Sequence, residues 1–130
     1  MLLLLGTVVL GGCATDRFRP SSGWSGVAVT EEQLYVGTME GQVLALDAAN
    51  GDVLWRFPPS DDSGDLEAIY GTPAVYEFQD EENNKKTWVL VGAFNKRIYA
   101  LNAANGREQW QFTRSEGRII GGPILVGVGE

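Results

Sequence analysis

The chain opens with an unbroken apolar run, Met1 to Gly12 (MLLLLGTVVLGG). A polar stretch, Ala14 to Gly23 (ATDRFRPSSG), separates it from a succession of short apolar segments joined by Gly-, Pro- and Asx-containing connections. The first four segments are Trp24 to Thr30 (WSGVAVT), Gln33 to Gly37 (QLYVG), Gln42 to Leu46 (QVLAL) and Asp52 to Phe57 (DVLWRF). A second group follows at Gly71 to Tyr76 (GTPAVY), Thr87 to Gly92 (TWVLVG), Arg97 to Leu101 (RIYAL) and Arg107 to Phe112 (REQWQF). Val, Leu, Tyr and Trp dominate several of these segments, and such residues suit a pleated, half-buried surface. Pro73 and Pro123 stand at segment starts, where a missing N–H does least harm to a sheet ladder. Each group predicts four antiparallel strands, and Gly121 to Val126 (GGPILV) predicts the first strand of a third group.

The two groups are copies of one another. Leu34 to Ser60 (LYVGTMEGQVLALDAANGDVLWRFPPS) returns 55 positions later, without a gap, as Val89 to Ser115 (VLVGAFNKRIYALNAANGREQWQFTRS). The copies share Val36/Val91, Gly37/Gly92, Ala45/Ala100, Leu46/Leu101, Ala48/Ala103, Ala49/Ala104, Asn50/Asn105, Gly51/Gly106, Trp55/Trp110 and Phe57/Phe112. A repeat of this length marks an array in which each unit is one supersecondary element that buries its faces against its neighbours. The connections agree with four strands per unit. Thr38 to Gly41 and Ala93 to Lys96 are four-residue hairpin links, the first ending in a turn-favouring Gly. In Asp47 to Gly51 and Asn102 to Gly106, the leading Asx side chain can accept backbone N–H groups, and Asn-Gly supplies positive-φ positions. LDAAN could also start a helix, but so few residues cannot offset the cost of helix nucleation.

Composition narrows the function classes. A net charge of −7 disfavours a phosphate-binding surface, because nucleic-acid affinity comes mainly from Lys and Arg; no nucleic-acid partner is expected. The chain has no His, which removes His-dependent triads and most zinc or copper sites. Its one Cys rules out an intrachain disulfide.

That Cys closes the apolar opening. Met1 to Gly12 is too short for a membrane-spanning helix and suits the apolar region of a signal peptide, although no Lys or Arg precedes it. Leu10-Gly11-Gly12-Cys13 resembles a bacterial lipobox, which implies cleavage before Cys13, a lipid on its thiol and a mature protein outside the cytoplasm. The bland alternative is a buried strand ending in an incidental Cys. Ala14, rather than Asp, after the Cys favours outer-membrane delivery in a two-membrane cell. The expected organisation is a signal peptide at 1–12, a lipidated Cys and tether at 13–23, a first unit at 24–60, an inter-unit loop and second unit at 61–115, and the start of a third unit at 116–130.

The stretch ALDAANGDVLW, with Ala45, Asp47, Gly51 and Trp55, and its second copy, with Ala100, Asn102, Gly106 and Trp110, resembles the tryptophan-docking motif of pyrroloquinoline-quinone (PQQ)-like β-propeller repeats. The resemblance covers 24–126 and implies an all-β fold: a propeller of four-stranded antiparallel blades, with two complete blades plus the first strand of a third. It also implies that Trp55 packs between Ala45 and the Gly106 peptide, joining the blades. An indole burying about 200 Å², at about 25 cal/mol per Å², can supply several kcal/mol to such a joint. Closed propellers usually need four to eight blades, so the sequence reads as an N-terminal fragment. Made alone, it is expected to aggregate or to fold only with a partner.

The motif residues read as structural, since indole has no useful acid or base. Individuality lies in Pro58 to Tyr70, which carries Asp61, Asp62, Asp65 and Glu67, and in Glu77 to Lys86 (EFQDEENNKK). Asp61, Asp62 and Asp65 are weak metal candidates; neither stretch has the acidic spacing of an EF-hand, and solvated acidic loops are the plainer reading. No catalytic or cofactor-binding residue is assigned, and no cofactor is expected here. Pairing a lipobox with these repeats is similar to the BamB-like lipoproteins of outer-membrane β-barrel assembly, which implies a non-enzymatic, membrane-anchored scaffold with protein partners. Two alternatives remain open. One is a fragment of a PQQ-dependent quinoprotein dehydrogenase, for which PQQ and calcium would be the cofactors; the other is an extracytoplasmic ligand sensor.

Overall fold

The computed structural model describes residues 25–59 and 66–127. It contains eight strands: β1 (Val27–Val29), β2 (Gln33–Gly37), β3 (Val43–Asp47), β4 (Val53–Phe57), β5 (Ala74–Gln79), β6 (Lys85–Ala93), β7 (Arg97–Asn102) and β8 (Glu108–Phe112). They form two four-stranded antiparallel sheets in the orders β1-β2-β3-β4 and β5-β6-β7-β8, with every strand beside its neighbour in sequence. This is the expected pair of propeller blades, and no helix occurs among the described residues.

The sheets reproduce each other in register. Leu34 faces Leu46 across β2 and β3, and Val89 faces Leu101 across β6 and β7. Ala45 faces Trp55, Ala100 faces Trp110, and one step beyond each of these pairs the register slips. Leu46 then pairs with Val53, and Leu101 with Glu108, so Leu54 and Gln109 are the extra residues of a duplicated β-bulge. A bulge bends its strand and raises the local twist. Here it lies next to each tryptophan and helps set the direction in which the indole leaves the sheet.

Several segments differ in extent from the sequence expectation. The first strand is confined to Val27–Val29 rather than running over 24–30. The β5–β6 hairpin is longer than expected because Gln79 pairs with Lys85, so much of the acidic stretch 77–86 is strand. The segment 121–126 is not a strand: it has no sheet partner among the described residues, and Ile124 and Val126 are exposed. A strand exists only through the ladder it shares, and an apolar sequence without a neighbouring strand does not form one.

The core lies between the sheets. Tyr35, Val43, Ala45 and Trp55 reach it from the first sheet, and Val89, Val91, Tyr99 and Leu101 from the second. Leu66 and Ile69 of the connecting segment complete it. Alternate side chains point to opposite faces of a strand, so each sheet commits one face to this shared core.

Candidate functional site

The best-defined constellation is the joint between the sheets, and it is built from the duplicated turns upward. In the first turn, Asp47 Oδ1 accepts the Ala49 and Asn50 N–H groups at 2.7 and 3.2 Å. Asn50 Oδ1 accepts the Asp52 N–H at 2.8 Å, and the Gly51 N–H donates to the Asp47 carbonyl at 2.8 Å. In the second, Asn102 Oδ1 accepts the Ala104 N–H at 2.9 Å, Asn105 Oδ1 accepts the Arg107 N–H at 3.0 Å, and the Gly106 N–H donates to the Asn102 carbonyl at 2.8 Å. Gly51 and Gly106 have φ of 80° and 69°, the left-handed region that costs L-residues energy.

Trp55 is docked on the second turn. Its Nε1–H donates to the Ala103 carbonyl at 2.8 Å, and the side chain is only 8% exposed. A Cβ placed on Gly106 would lie 2.5 Å from Trp55 Cε3, so the Gly106 peptide approaches the indole more closely than any other residue would allow. Ala45, the cross-strand partner of Trp55, is fully buried, and the Tyr35 ring lies 5.9 Å from the indole. Phe57 extends the joint, its ring 5.6 Å from that of Tyr99. Trp110 has the same place in its own sheet but remains 40% exposed, with the Trp88 ring 6.1 Å away.

A second duplicated contact holds the connecting segment. A Cβ on Gly37 would collide with the Ile69 side chain, and a Cβ on Gly92 with that of Ile119. The Ile69 N–H donates to the Thr38 carbonyl at 3.0 Å, and the Phe94 N–H to the Ala68 carbonyl at 2.9 Å. Ser25 Oγ accepts the Gly37 N–H at 3.2 Å and donates to the Gly71 carbonyl at 3.1 Å, tying the start of one blade to the start of the next. Gly71 itself packs directly on the Gly121–Gly122 backbone. Sequence reasoning noticed Gly37 and Gly92 as a repeated pair but missed Ile69, Ile119, Tyr35 and Gly71. The signal was present in the 50-residue offset that relates Ile69-Tyr70-Gly71 to Ile119-Ile120-Gly121. It was hidden because the strands repeat with a different offset.

Cys13, Asp61, Asp62 and Asp65 lie outside the described residues. Of the acidic stretch 77–86, Asp80 caps the hairpin, its Oδ1 accepting the Asn84 and Glu82 N–H groups at 2.8 and 3.0 Å. Those backbone bonds, Asn84 first, hold its carboxyl below the ordinary value of 3.8, with Lys86 at 3.5 Å adding to the effect. Glu77 pairs with Lys85 at 2.9 Å. A groove of about 910 Å³ runs between the sheets past Glu31, Glu32, Tyr35, Lys85 and Asn102. Burial pushes the Tyr35 phenol above its ordinary value of 10.0, and its hydroxyl donates to Gln33 Oε1 at 2.8 Å. Among the described residues no three acidic, His or Cys side chains converge where they could hold a metal ion. The contacts at the joint are packing and hydrogen bonds.

Comparison with known proteins agrees with this architecture. The crystal structure of BamB from Moraxella catarrhalis superposes with a TM-score of 0.56 at 19% identity, over 81% of this chain and 28% of that one, a likeness of fold. Quinohemoprotein alcohol dehydrogenases from Pseudomonas putida HK5 (29% identity, TM-score 0.48) and Comamonas testosteroni (28%, 0.48) each match 67% of this chain and 12% of their own. The chain thus spans under a third of the length of these structures. No curated protein matches it. The family model described as outer membrane protein assembly factor BamB matches residues 15–127, nearly the whole span from the tether to the last described residue, and the chain belongs to that family.

Proposed function

We propose that this chain is part of a membrane-anchored β-propeller scaffold that works outside the cytoplasm and contributes to outer-membrane protein assembly by binding other proteins, without catalysis of its own. The family match over 15–127 carries the reading. Two further observations support it. The repeat residues Ala45, Asp47, Gly51, Trp55, Ala100, Asn102, Gly106 and Trp110 lie in turns and sheet faces, at or equivalent to the joint, where their contacts are structural. The lipobox-like Leu10-Gly11-Gly12-Cys13 supplies an attachment point. One acyl chain binds membranes only marginally, so stable anchoring through Cys13 requires a second lipid chain. Individual recognition is assigned to exposed loops, above all the β5–β6 hairpin around Asp80, because loops on a rigid scaffold carry most binding residues.

The test is a deletion of the gene in its host, with the folded fraction of outer-membrane β-barrel proteins read by heat-modifiable gel mobility. The fraction is expected to fall, to recover with the wild-type gene and to recover less with Cys13→Ser. Incorporation of labelled fatty acid into wild type but not Cys13→Ser checks the anchor. An unchanged folded fraction, or dye reduction by the full-length protein supplied with PQQ, Ca²⁺ and an alcohol or sugar, overturns the scaffold reading in favour of an enzyme.

A further inference from the structure

The turn on which Trp55 docks contains a reactive pair of its own. Deamidation of asparagine begins when the backbone nitrogen of the next residue attacks the side-chain carbonyl carbon, and a following glycine hinders that attack least because it has no side chain. Asn105-Gly106 is such a pair, and the missing side chain is also what the indole requires, since a Cβ on Gly106 would lie 2.5 Å from Trp55 Cε3. Asn105 is exposed to solvent. Its Oδ1 accepts the Arg107 N–H at 3.0 Å, closing a ring that contains the Gly106 nitrogen, so the attacking and attacked atoms are held in one turn. Three contacts keep them from reacting. The Gly106 N–H donates to the Asn102 carbonyl at 2.8 Å, and the nitrogen must give up that proton before it attacks. Gly106 is buried beneath the indole and fixed at a φ of 69°. The Trp55 Nε1–H donates to the Ala103 carbonyl at 2.8 Å, so one side chain clamps the turn at two points.

We infer that Asn105 is a deamidation site gated by the Trp55 joint, quiescent while the indole is seated and converted when the sheets part. With the indole withdrawn, hydroxide removes the Gly106 amide proton and the nitrogen bonds to Asn105 Cγ. The C–N bond to the side-chain nitrogen then breaks, and that nitrogen takes a proton from water and leaves as ammonia, so that a cyclic imide remains. Water opens the imide at either of its carbonyls, giving aspartate or isoaspartate at 105; the net reaction consumes a water and releases an ammonia. Isoaspartate routes the main chain through the former side chain and lengthens it by a methylene, which displaces Gly106 from the indole and spoils the seat. The joint thereby keeps a chemical record of having opened. The turn at Asn50-Gly51 has the same hydrogen bonds but does not carry Trp55, so it serves as the internal control.

The test follows conversion at Asn105 and Asn50 in the full 130-residue chain at mildly alkaline pH, by peptide mapping with mass spectrometry, in wild type and in Trp55→Ala. Where opening and closing are fast, conversion tracks the population of the open turn. Trp55→Ala is expected to speed conversion at Asn105 by at least about tenfold, the factor for about 1.4 kcal/mol of lost clamping, and to leave Asn50 unchanged. In urea, with the joint gone, Asn105 should convert at one rate in both proteins. Circular dichroism monitors the fold; if Trp55→Ala loses its β-sheet signal, Trp55→Phe, which keeps a ring in the seat but cannot bond the Ala103 carbonyl, replaces it, with a smaller acceleration at Asn105 alone. Converted wild-type chains, separated by their added negative charge, should unfold at lower urea than unconverted ones. Three results overturn the gating: folded wild type converting Asn105 as fast as the urea-unfolded chain, a folded Trp55 variant with an unchanged rate at Asn105, and equal acceleration at Asn50. Equal urea midpoints for converted and unconverted chains overturn the damage to the seat.

Discussion

Replacing Trp55 with Ala removes the side chain that joins the two sheets. The indole is nearly completely buried, is seated on the Gly106 peptide and donates to the Ala103 carbonyl at 2.8 Å. Truncating a buried tryptophan typically costs about 3–5 kcal/mol, the spread reflecting how far the site can collapse. The lost hydrogen bond enters that figure at about 0.5–1.5 kcal/mol. Collapse is restricted here because Ala45 and Gly106, the two walls of the seat, belong to a paired strand and a closed turn. Small domains have total stabilities of about 5–15 kcal/mol, so the loss would be a large share of the whole. Urea unfolding followed by circular dichroism measures the change. Trp55→Phe keeps a ring in the seat but leaves the Ala103 carbonyl unpaired, at about 1–3 kcal/mol. Trp110→Ala is the internal control: with the indole 40% exposed, it should cost well under half as much as Trp55→Ala. A Trp55→Ala variant within about 0.5 kcal/mol of wild type, the usual range for a surface change, would refute the account of the joint. So would equal losses at Trp55 and Trp110.

Gly51→Ala meets only the penalty of a left-handed backbone, about 1–2 kcal/mol, since its Cβ would enter open space. Gly106→Ala meets that penalty and a collision with Trp55, and should cost about 1–3 kcal/mol more; equal losses in chemical denaturation would argue against the close approach. Ile69→Ala, at a fully buried position packed on Gly37, should lower stability by about 2–5 kcal/mol, whereas the same change at exposed Ile120 should fall within about 0.5 kcal/mol. Because the Tyr35 phenol is held above 10.0 by burial, the folded state retains that proton when the unfolded chain has lost it. Stability should therefore fall as pH rises past 10.0 toward the folded value. An alkaline absorbance titration should show an ionisation above 10.0 that Tyr35→Phe removes. Asp80, with its carboxyl held below 3.8, contributes above that pH and stops contributing as pH falls through its folded value; a carboxyl-carbon NMR titration should place its midpoint below 3.8.

The sequence by itself determined the repeat and, through it, the fold class. Two ungapped copies of strand, turn and tryptophan are local patterns, and local patterns decide which segments pair when every strand lies beside its sequence neighbour. The turn chemistry was equally legible, because an Asx acceptor and a following Asn-Gly act within five residues. Only the tertiary structure decided how unlike these identical elements become. Trp55 and Trp110 occupy equivalent bulged positions, yet one is buried and the other exposed, because exposure depends on the neighbouring sheet and not on the residue. The same holds for Leu34 and Val89, half-buried and fully buried at equivalent places. Ile69 and Ile119 were unreadable as joint residues because their partners, Gly37 and Gly92, lie at a distance that the strand repeat does not share. The apolar segment 121–126 read as a strand and remains unpaired because no neighbouring strand lies beside it among the described residues. Composition specifies what a face can bury, and the fold specifies whether anything is there to bury it against.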